Sequence, residues 1–269
     1  LDFGFAPTTV LAMVDASVGG KNGIDFGGRK TLVGSFRLPR FVLVDPSVLS
    51  TLPARQAAGG LVEAVKHAVI EGPEHLGLLE RAIPARPAGA AFRLPSDPAL
   101  LAEVLERSIR LKARIVESDF RESGERRKLN LGHTIGHAVE AVTGLPHGEC
   151  VAAGLACALG LAARRGGCGE DARRILDLLG RLGVPRSLEE ARMAALEDAA
   201  AAPDGLGGPG SAETLADPAA FRNAVARALS ADKKRSGSVV LFALPRAPGS
   251  VEIEPIGLAE LEDFVREAP

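Results

Sequence analysis

Cysteine is scarce in this chain of 269 residues: its three copies, Cys150, Cys157 and Cys168, are an odd number, and no pair has the spacing of metal ligands. They are expected to be reduced thiols in a cytoplasmic protein. The chain also lacks a large excess of positive or negative charge. The net charge is −2, which gives no basic field to recruit nucleic acid or an anionic membrane. No run of about 18 apolar residues is free of breaks or charge, so no membrane span is expected.

The first residues lack an initiator methionine, and they lack the basic and apolar regions of a signal peptide. A chain that was cut upstream, or given the wrong first residue, would begin in this way.

Histidine is rare too, with five copies, yet His133, His137 and His147 lie within fifteen residues of one another. His133 and His137 are four apart, which places both rings on one face of a helix. His147 follows a proline at the start of the next helical run. Imidazole is a common ligand for zinc, so this cluster predicts a metal site built from a helix and a nearby loop.

The ligand set stays open at this point. Three histidines could bind the metal, or a carboxylate could replace one of them, since catalytic zinc takes mixed ligands. Glu63 is the best-placed carboxylate, because it lies in an apolar stretch where an unpaired charge would be costly. The simpler interpretation of Glu63 alone is a solvated helix face.

Hydrophobic patterning predicts mixed α/β structure before residue 54, with strands at 31–36 and 41–44, the second of them buried, and glycine pairs at turns. Helical patterning then dominates, and 202–210 is a predicted surface loop. The predicted fold is an α/β remnant followed by a mostly α-helical domain, a multi-helix bundle with a late β-hairpin at 238–244 and 251–254. The predicted helices are 55–71, 98–117, 130–142, 148–165, 170–182, 188–200, 217–230 and 257–266.

Lys112 falls on the apolar stripe of the helix from 98, where a lysine is seldom buried unless it is paired. It either extends outward along its stem or points into a polar pocket. Other cations lie in glycine- or asparagine-rich settings, and each alone is most simply a surface charge. Together with a metal they would suit a small substrate that carries phosphate and carboxylate. These cations are Lys21, Lys30, Arg126, Lys233 and Lys234.

Several segments together resemble the 3-dehydroquinate synthase family of the shikimate pathway, in order and spacing, over almost the whole chain. The segments are 7–9 (Pro-Thr-Thr), 14–21 (Val-Asp-Ala-Ser-Val-Gly-Gly-Lys), 51–53 (Thr-Leu-Pro), 60–66 (Gly-Leu-Val-Glu-Ala-Val-Lys), 130–137 (Asn-Leu-Gly-His-Thr-Ile-Gly-His), 147–149 (His-Gly-Glu) and 232–234 (Asp-Lys-Lys).

The resemblance implies that residues 1–53 are the C-terminal part of an α/β NAD-binding domain and that 54–269 form a helical domain for metal and substrate. It implies conversion of 3-deoxy-D-arabino-heptulosonate 7-phosphate to 3-dehydroquinate and phosphate, by a cytoplasmic homodimer. NAD and Zn²⁺ are the implied cofactors, with Co²⁺ as the alternative metal.

The resemblance also assigns residues. The implied zinc ligands are Glu63, His133 and His147, while His137 is an acid/base residue and Glu122 a proton acceptor. The implied substrate contacts are Asp15, Lys21, Lys66, Lys112, Arg126, Asn130 and one of Lys233 and Lys234, with Lys234 favoured. The implied NAD contacts are Thr8, Thr9, Lys30, Val48, Leu49, Ser50 and Thr51.

Three alternatives remain. One is a related sugar-phosphate cyclase, of the 2-deoxy-scyllo-inosose or 2-epi-5-epi-valiolone synthase type. Another is a metal-dependent polyol or glycerol-phosphate dehydrogenase, which the set of anion-binding residues disfavours. The third is a non-catalytic remnant that dimerises or binds a partner.

Two departures from the family pattern bear on activity. Thr31 stands where the family usually has asparagine after the lysine, and residues 1–50 contain no G-x-G-x-x-G nucleotide loop. If these 269 residues are the whole polypeptide, we expect weak or no NAD binding and little turnover. Isothermal titration with NAD measures this, and micromolar affinity would contradict it.

Overall fold

The computed structural model describes residues 2–26, 29–85, 87, 92–201, 211–233 and 238–268, with only the backbone at 25–26, 29–32 and 231–233. The glycine pair at 27–28, the predicted loop at 202–210 and Lys234 lie outside the described residues.

The N-terminal residues form short elements. Thr9 Oγ1 accepts a hydrogen bond from the N–H of Ala12 at the start of a π-helical turn, Ala12–Ala16. Strands β1 (Lys21–Phe26) and β2 (Arg29–Phe36) then pair antiparallel, which confirms the predicted strand at 31–36. A 3₁₀ helix, Pro46–Thr51, follows.

The predicted buried strand at 41–44 is wrong. Only Val42 pairs, in a single parallel bridge to Phe5, and the neighbouring Phe41 and Leu43 are 62% and 63% exposed. A strand buried on both faces needs partners at its edges and layers above and below it. Among the described residues only the segment around Phe5 flanks it.

Helices dominate from residue 54 onward. Asp97 begins one of them by accepting hydrogen bonds from the N–H groups of Ala99 and Leu100, and Pro98 occupies its first turn. The helices are α1 (Ala54–Glu71), α2 (Pro73–Ala82), α3 (Pro98–Ser118), α4 (His133–Thr143), α5 (His147–Arg164), α6 (Gly169–Leu182), α7 (Leu188–Ala201), α8 (Ala212–Ala216), α9 (Pro218–Lys233) and α10 (Leu258–Glu267).

The structure differs from the prediction at three helices. The sequence did not predict α2, which begins at a proline shortly after α1, or the short helix α8. The helix predicted at 130–142 begins instead at His133, because a 3₁₀ helix, Glu125–Asn130, precedes it and Gly132 has a φ of 79°. No helix in the described part of the chain is long and apolar enough to span a bilayer.

Helix α5 lies at the centre of the fold. It contacts α1, α4, α6 and α7, and also β3 of the C-terminal hairpin. That hairpin, β3 (Val239–Ala247) with β4 (Ser250–Gly257), is antiparallel with Val240 opposite Ile256, as predicted. Since α5 is covered on several sides, its side chains are apolar around most of its circumference.

Glycine lets α4 approach α5 at backbone distance. A Cβ atom on Gly154 would lie 2.0 Å from the carbonyl oxygen of Gly132 and 2.6 Å from the nitrogen of Gly136. Gly132 and Gly136 directly precede His133 and His137. The position of the histidine cluster therefore depends on an α4–α5 contact that admits no side chain at residue 154.

We expect Gly154→Ala to lower the free energy of unfolding by about 1–3 kcal/mol or more, because the methyl group must push α4 away from α5. Urea unfolding measures this. Gly160→Ala is the matched control on the same helix, because its Cβ would lie 3.7 Å from Phe264, an ordinary contact. Replacing that exposed helical glycine should stabilise the chain by about 0.5–1 kcal/mol. Similar effects of the two substitutions would contradict the packing argument.

A second buried cluster joins α1, α2 and α3 away from the three histidines. His75 is fully buried, with Nδ1 2.9 Å from Glu71 Oε2 and Nε2 3.5 Å from Ser108 Oγ. Glu71 also accepts hydrogen bonds from Arg107 at 2.8 Å and Arg114 at 2.6 Å. Burial lowers the pKa of His75 to about 4, although Glu71 opposes the shift.

This lowered pKa predicts a pH-dependent stability. The unfolded chain binds a proton at His75 below its ordinary pKa near 6.5, and the folded chain does so only near pH 4, so stability falls as the pH drops through that window. Between pH 7 and pH 5 the loss from one such group is about 1–2 kcal/mol. His75→Gln should remove that part of the pH dependence in urea unfolding. An unchanged pH dependence would show that His75 does not cause it.

Candidate metal centre and anion pocket

Three helices converge on the buried carboxylate of Glu63. Glu63 belongs to α1, and its Oε1 lies 3.6 Å from His133 Nε2 on α4 and 3.6 Å from His147 Nε2 at the start of α5. The Glu63 side chain is fully buried. The structure thus brings together the carboxylate and the two imidazoles that the family resemblance assigns as ligands.

The other ring nitrogen of each imidazole faces an acceptor. His133 Nδ1 lies 3.2 Å from the carbonyl oxygen of Leu131, and His147 Nδ1 lies 2.9 Å from Glu140 Oε2. When Nδ1 carries the proton and donates it, Nε2 keeps its lone pair. Both lone pairs then point toward the side of the ring where Glu63 lies.

This donor set fits zinc. Ligand bonds of about 2.1 Å at tetrahedral angles place ligand atoms about 3.4 Å apart, close to the two 3.6 Å separations found here. Neither oxygen of Glu63 accepts a hydrogen bond of ordinary geometry from a described residue. His137 is also at hand, since one ligand atom from each of the three histidines lies within 4.8 Å of the others. The structure therefore brings together both candidate ligand sets, the three histidines and the set in which Glu63 replaces one of them.

Two buried lysines and Asp15 lie beside this centre. Lys66 Nζ lies 2.5 Å from Glu63 Oε2 and 3.8 Å from Asp15 Oδ1. Lys112 Nζ lies 2.8 Å from Asp15 Oδ1 and also donates to the Asp15 carbonyl oxygen. Lys112 is 7% exposed, so of the two alternatives for this lysine the structure shows the polar pocket.

The charges in this cluster shift each other's pKa values. Burial raises the pKa of Glu63 and of Asp15, but the neighbouring ammonium groups lower both, and the net shift is downward. Burial and the charge of Lys66 lower the pKa of His133 to about 3. Burial lowers the pKa of His147, but Glu140 and Glu63 raise it to about 9. The carboxylates are thus held ionised and His133 is held neutral, as metal ligands must be. His147 is protonated near neutral pH, so it would have to release its Nε2 proton to bind a cation.

A tight loop after α3 presents Glu122. The carboxylate of Asp119 accepts hydrogen bonds from the N–H groups of Ser123, Gly124 and Arg126 at 2.7 to 3.1 Å. Glu122 has a φ of 61°, a conformation that is strained for a non-glycine residue. The Asp119 carboxylate thus organises the loop through its backbone N–H groups, and the strain falls on the residue that the resemblance assigns as proton acceptor.

Glu122 joins two other predicted residues. Asn130 Nδ2 donates to Glu122 Oε1 at 2.6 Å, and Lys21 forms an ion pair with Oε2. Burial raises the pKa of Glu122, but Lys21 and Asn130 lower it below its ordinary value. These three residues therefore form one polar group.

Arg126 is buried, and its guanidinium group donates to backbone. One nitrogen donates to the carbonyl oxygen of Gly19 and another to that of Phe120, each at 2.7 Å. The side chain thereby ties the loop after α3 to the glycine turn before β1. Its predicted contact with substrate stays a prediction, because these donors already have partners.

The residues assigned to NAD lie in the N-terminal elements. Thr8 is exposed, and Thr9 caps the π-helical turn. Within the 3₁₀ helix Leu49 is buried in the core, whereas Val48, Ser50 and Thr51 are exposed. The side chain of Lys30 lies outside the described residues.

Sequence reasoning missed His67, Glu140 and Asp119. His67 lies four residues after Glu63 on α1, fully buried, with Nε2 3.9 Å from Asp15 Oδ1. Burial lowers its pKa to about 3. Glu140 had a usable signal, since it lies three residues after His137 and so shares its helix face. Asp119 had one too, because aspartate before a serine–glycine pair is typical of turns that bind backbone N–H groups.

Comparison with known families adds an independent observation. The family described as 3-dehydroquinate synthase N-terminal matches residues 1–59, and that described as 3-dehydroquinate synthase C-terminal matches residues 60–202. The 3-dehydroquinate synthase of Symbiobacterium thermophilum is 38% identical over 254 residues, which cover 93% of this chain and 61% of that protein. The Zymomonas mobilis enzyme is 47% identical over 191 residues, covering 69% and 48%. The chain thus spans about half to three fifths of the length of these relatives.

Solved structures show the same fold. ValA, the 2-epi-5-epi-valiolone synthase from Streptomyces hygroscopicus subsp. jinggangensis 5008, was solved with NAD⁺ and Zn²⁺ bound; it is 25% identical with a TM-score of 0.75, over 98% of this chain and 65% of that one. A 2-deoxy-scyllo-inosose synthase complexed with carbaglucose-6-phosphate, NAD⁺ and Co²⁺ is 22% identical with a TM-score of 0.71, over 100% and 67%. The fold is that of the sugar-phosphate cyclases, and the matches to both family regions show that this chain belongs to the 3-dehydroquinate synthase family.

Proposed function

We propose that this chain forms the metal- and substrate-binding part of a 3-dehydroquinate synthase active site, which converts 3-deoxy-D-arabino-heptulosonate 7-phosphate to 3-dehydroquinate and phosphate. The observation that carries the proposal is the position of Glu63 Oε1, 3.6 Å from the Nε2 atoms of both His133 and His147. Zn²⁺ in ValA and Co²⁺ in the inosose synthase support a divalent cation at this centre.

The charges of the pocket favour an anionic substrate. Lys66 and Lys112 balance the carboxylates of Glu63 and Asp15, so a divalent cation among the ligands would leave a net positive charge. A buried surplus of positive charge attracts a small molecule that carries phosphate and carboxylate groups. The proposed substrate has both.

The residues of the chain have separate proposed roles. Glu63, His133 and His147 hold the cation, and His137, beside them, exchanges protons with the substrate. Lys66, Lys112 and Asp15 orient the substrate from one side, while the group of Lys21, Glu122 and Asn130 orients it from another, so that one pose serves successive steps. When bound, zinc lowers the pKa of a coordinated hydroxyl, and NAD accepts and returns a hydride.

NAD binding is proposed at the N-terminal elements, through Thr8, Thr9, Lys30 and the segment Val48–Thr51. Support comes from the family match over residues 1–59 and from NAD⁺ in the two solved cyclases. A homodimer and a direct substrate contact by Lys234 remain predictions that the family suggests.

Another sugar-phosphate cyclase is the second candidate, because ValA shares the fold at 25% identity. The relatives named 3-dehydroquinate synthase are 38% and 47% identical, which favours the first proposal. The two candidate functions differ in substrate chemistry, since only 3-deoxy-D-arabino-heptulosonate 7-phosphate carries a carboxylate in addition to its phosphate.

Zinc binding and substrate preference test the proposal together. The metal-free chain should bind one zinc ion in isothermal titration, and Glu63→Gln should weaken binding by more than about 100-fold, since even residues outside the ligand set commonly contribute 10- to 100-fold. Glu106→Gln, on the exposed side of α3, is the control.

A thermal-shift series on the zinc-loaded chain should then show the largest stabilisation with 3-deoxy-D-arabino-heptulosonate 7-phosphate, compared with a hexose 6-phosphate and a heptulose 7-phosphate that lacks a carboxylate.

Equal zinc affinity in Glu63→Gln and the unsubstituted chain would refute the metal centre. A larger shift with a sugar phosphate that lacks the carboxylate would favour the other cyclases.

A further inference from the structure

One face of α1 meets the first turn of α5 along a line of three contacts. Arg55, Gly59 and Glu63 are spaced four residues apart on α1, which places them on one helix face about 12 Å from end to end. The first turn of α5 contains His147, Gly148 and Glu149 in succession. Each residue of the first set contacts one residue of the second.

The middle contact is between backbones. A Cβ atom on Gly148 would lie 2.2 Å from the carbonyl oxygen of Gly59, so the helices touch there without a side chain between them. At one end Glu63 lies 3.6 Å from His147. A single contact point allows the two helices to pivot about it, and a pivot at Gly148 would change the distance between Glu63 and His147.

The contact at the other end prevents such a pivot. Arg55 donates to both oxygens of Glu149, with Nη2 2.8 Å from Oε2, and Nε bonded to Oε1. It also donates to both oxygens of Asp198 on α7, at 2.9 and 2.7 Å. The guanidinium group thus ties α1 to two helices at once, and its planar donors fix direction as well as distance.

Burial of the partner makes this contact strong. The side chain of Glu149 is 7% exposed, so removing Arg55 would leave a nearly buried carboxylate without this cation. Breaking such a pair costs far more than breaking a pair on the surface. The first turn of α5 would have to move to hydrate Glu149, and His147 is two residues away.

We infer that Arg55 is a positioning residue of the metal centre: through Glu149 and Asp198 it fixes the first turn of α5 against α1 and so holds His147 opposite Glu63. This inference rests on the proposed metal site. Within the described part of the chain, the hydrogen-bond partners of Arg55 are Glu149 and Asp198, and neither is a proposed ligand or substrate contact.

Arg174 offers a matched control. Its guanidinium group donates to both oxygens of Glu80, each at 3.0 Å, and to Asp171 at 2.9 Å. Its side chain is 40% exposed, compared with 47% for Arg55. It joins α6 to α2, and neither helix supplies a residue of the metal centre.

The test compares Arg55→Ala, Arg55→Lys and Arg174→Ala in the full chain by zinc titration, by the visible absorption spectrum of the Co²⁺ form and by amide hydrogen exchange. Arg55→Ala should raise the zinc dissociation constant about tenfold or more, alter the cobalt bands and speed exchange in the first turn of α5. Arg55→Lys keeps the charge but not the planar fork, so its effect should be intermediate. Arg174→Ala should change thermal stability without changing zinc affinity or the cobalt bands.

The outcomes separate the two proposals. If the unsubstituted chain binds zinc but the Arg55 and Arg174 variants have equal zinc affinity, Arg55 is a stability residue only and the inference is wrong. If Arg55→Ala does not fold, the same comparison of Arg55→Lys with Arg174→Ala decides. If the unsubstituted chain binds no zinc, the metal site itself is refuted, and the positioning role with it.

Discussion

A fully buried carboxylate needs cations around it, and Glu63 has no access to solvent. Lys66 reaches one oxygen, while two imidazole nitrogens face the other at 3.6 Å. An ionised group in this position would be very costly without such neighbours. The neighbours of Glu63 need partners of opposite charge too, because Lys66 is also buried. Lys66 contacts Asp15, which in turn binds Lys112. The packing of α1 against α4, α5 and the N-terminal turn therefore depends on a balanced set of buried charges.

Small residues make that convergence possible. The proposed ligands come from three helices, and helices with ordinary side chains at their contact have axes 8–10 Å apart. Gly154 against Gly132, and Gly148 against Gly59, remove the side chains at both crossings of α5. Each proposed ligand histidine is adjacent in sequence to one of these glycines. The spacing of the proposed metal centre is thus set by backbone contact between helices. A glycine contact alone does not fix the orientation of α5 relative to α1, and the ion pairs of Arg55 do.

The sequence predicted the helical series, the C-terminal hairpin and the grouping of His133, His137 and His147, because helical periodicity and short spacings are local properties. Resemblance was needed to connect Glu63 with that group, since 70 residues separate it from His133. The local pattern gave a wrong prediction of a buried strand at 41–44, because an apolar β-branched run has the same sequence whether or not neighbouring strands cover it. It also could not find Arg55, because the partners of Arg55 are set by tertiary contacts.

The predicted anion-binding residues are already paired within the chain, and this affects how the proposed substrate would bind. Lys112 contacts Asp15, Lys21 contacts Glu122, and Arg126 donates to backbone carbonyl groups. A phosphate or carboxylate group must therefore share or displace these partners, and the gain in binding free energy is the difference between two sets of contacts. Lys21 is the most exposed of the three cations and its pair is screened by water, so exchange there costs the least. Arg126 is buried, and its hydrogen bonds to backbone acceptors hold the loop that carries Glu122.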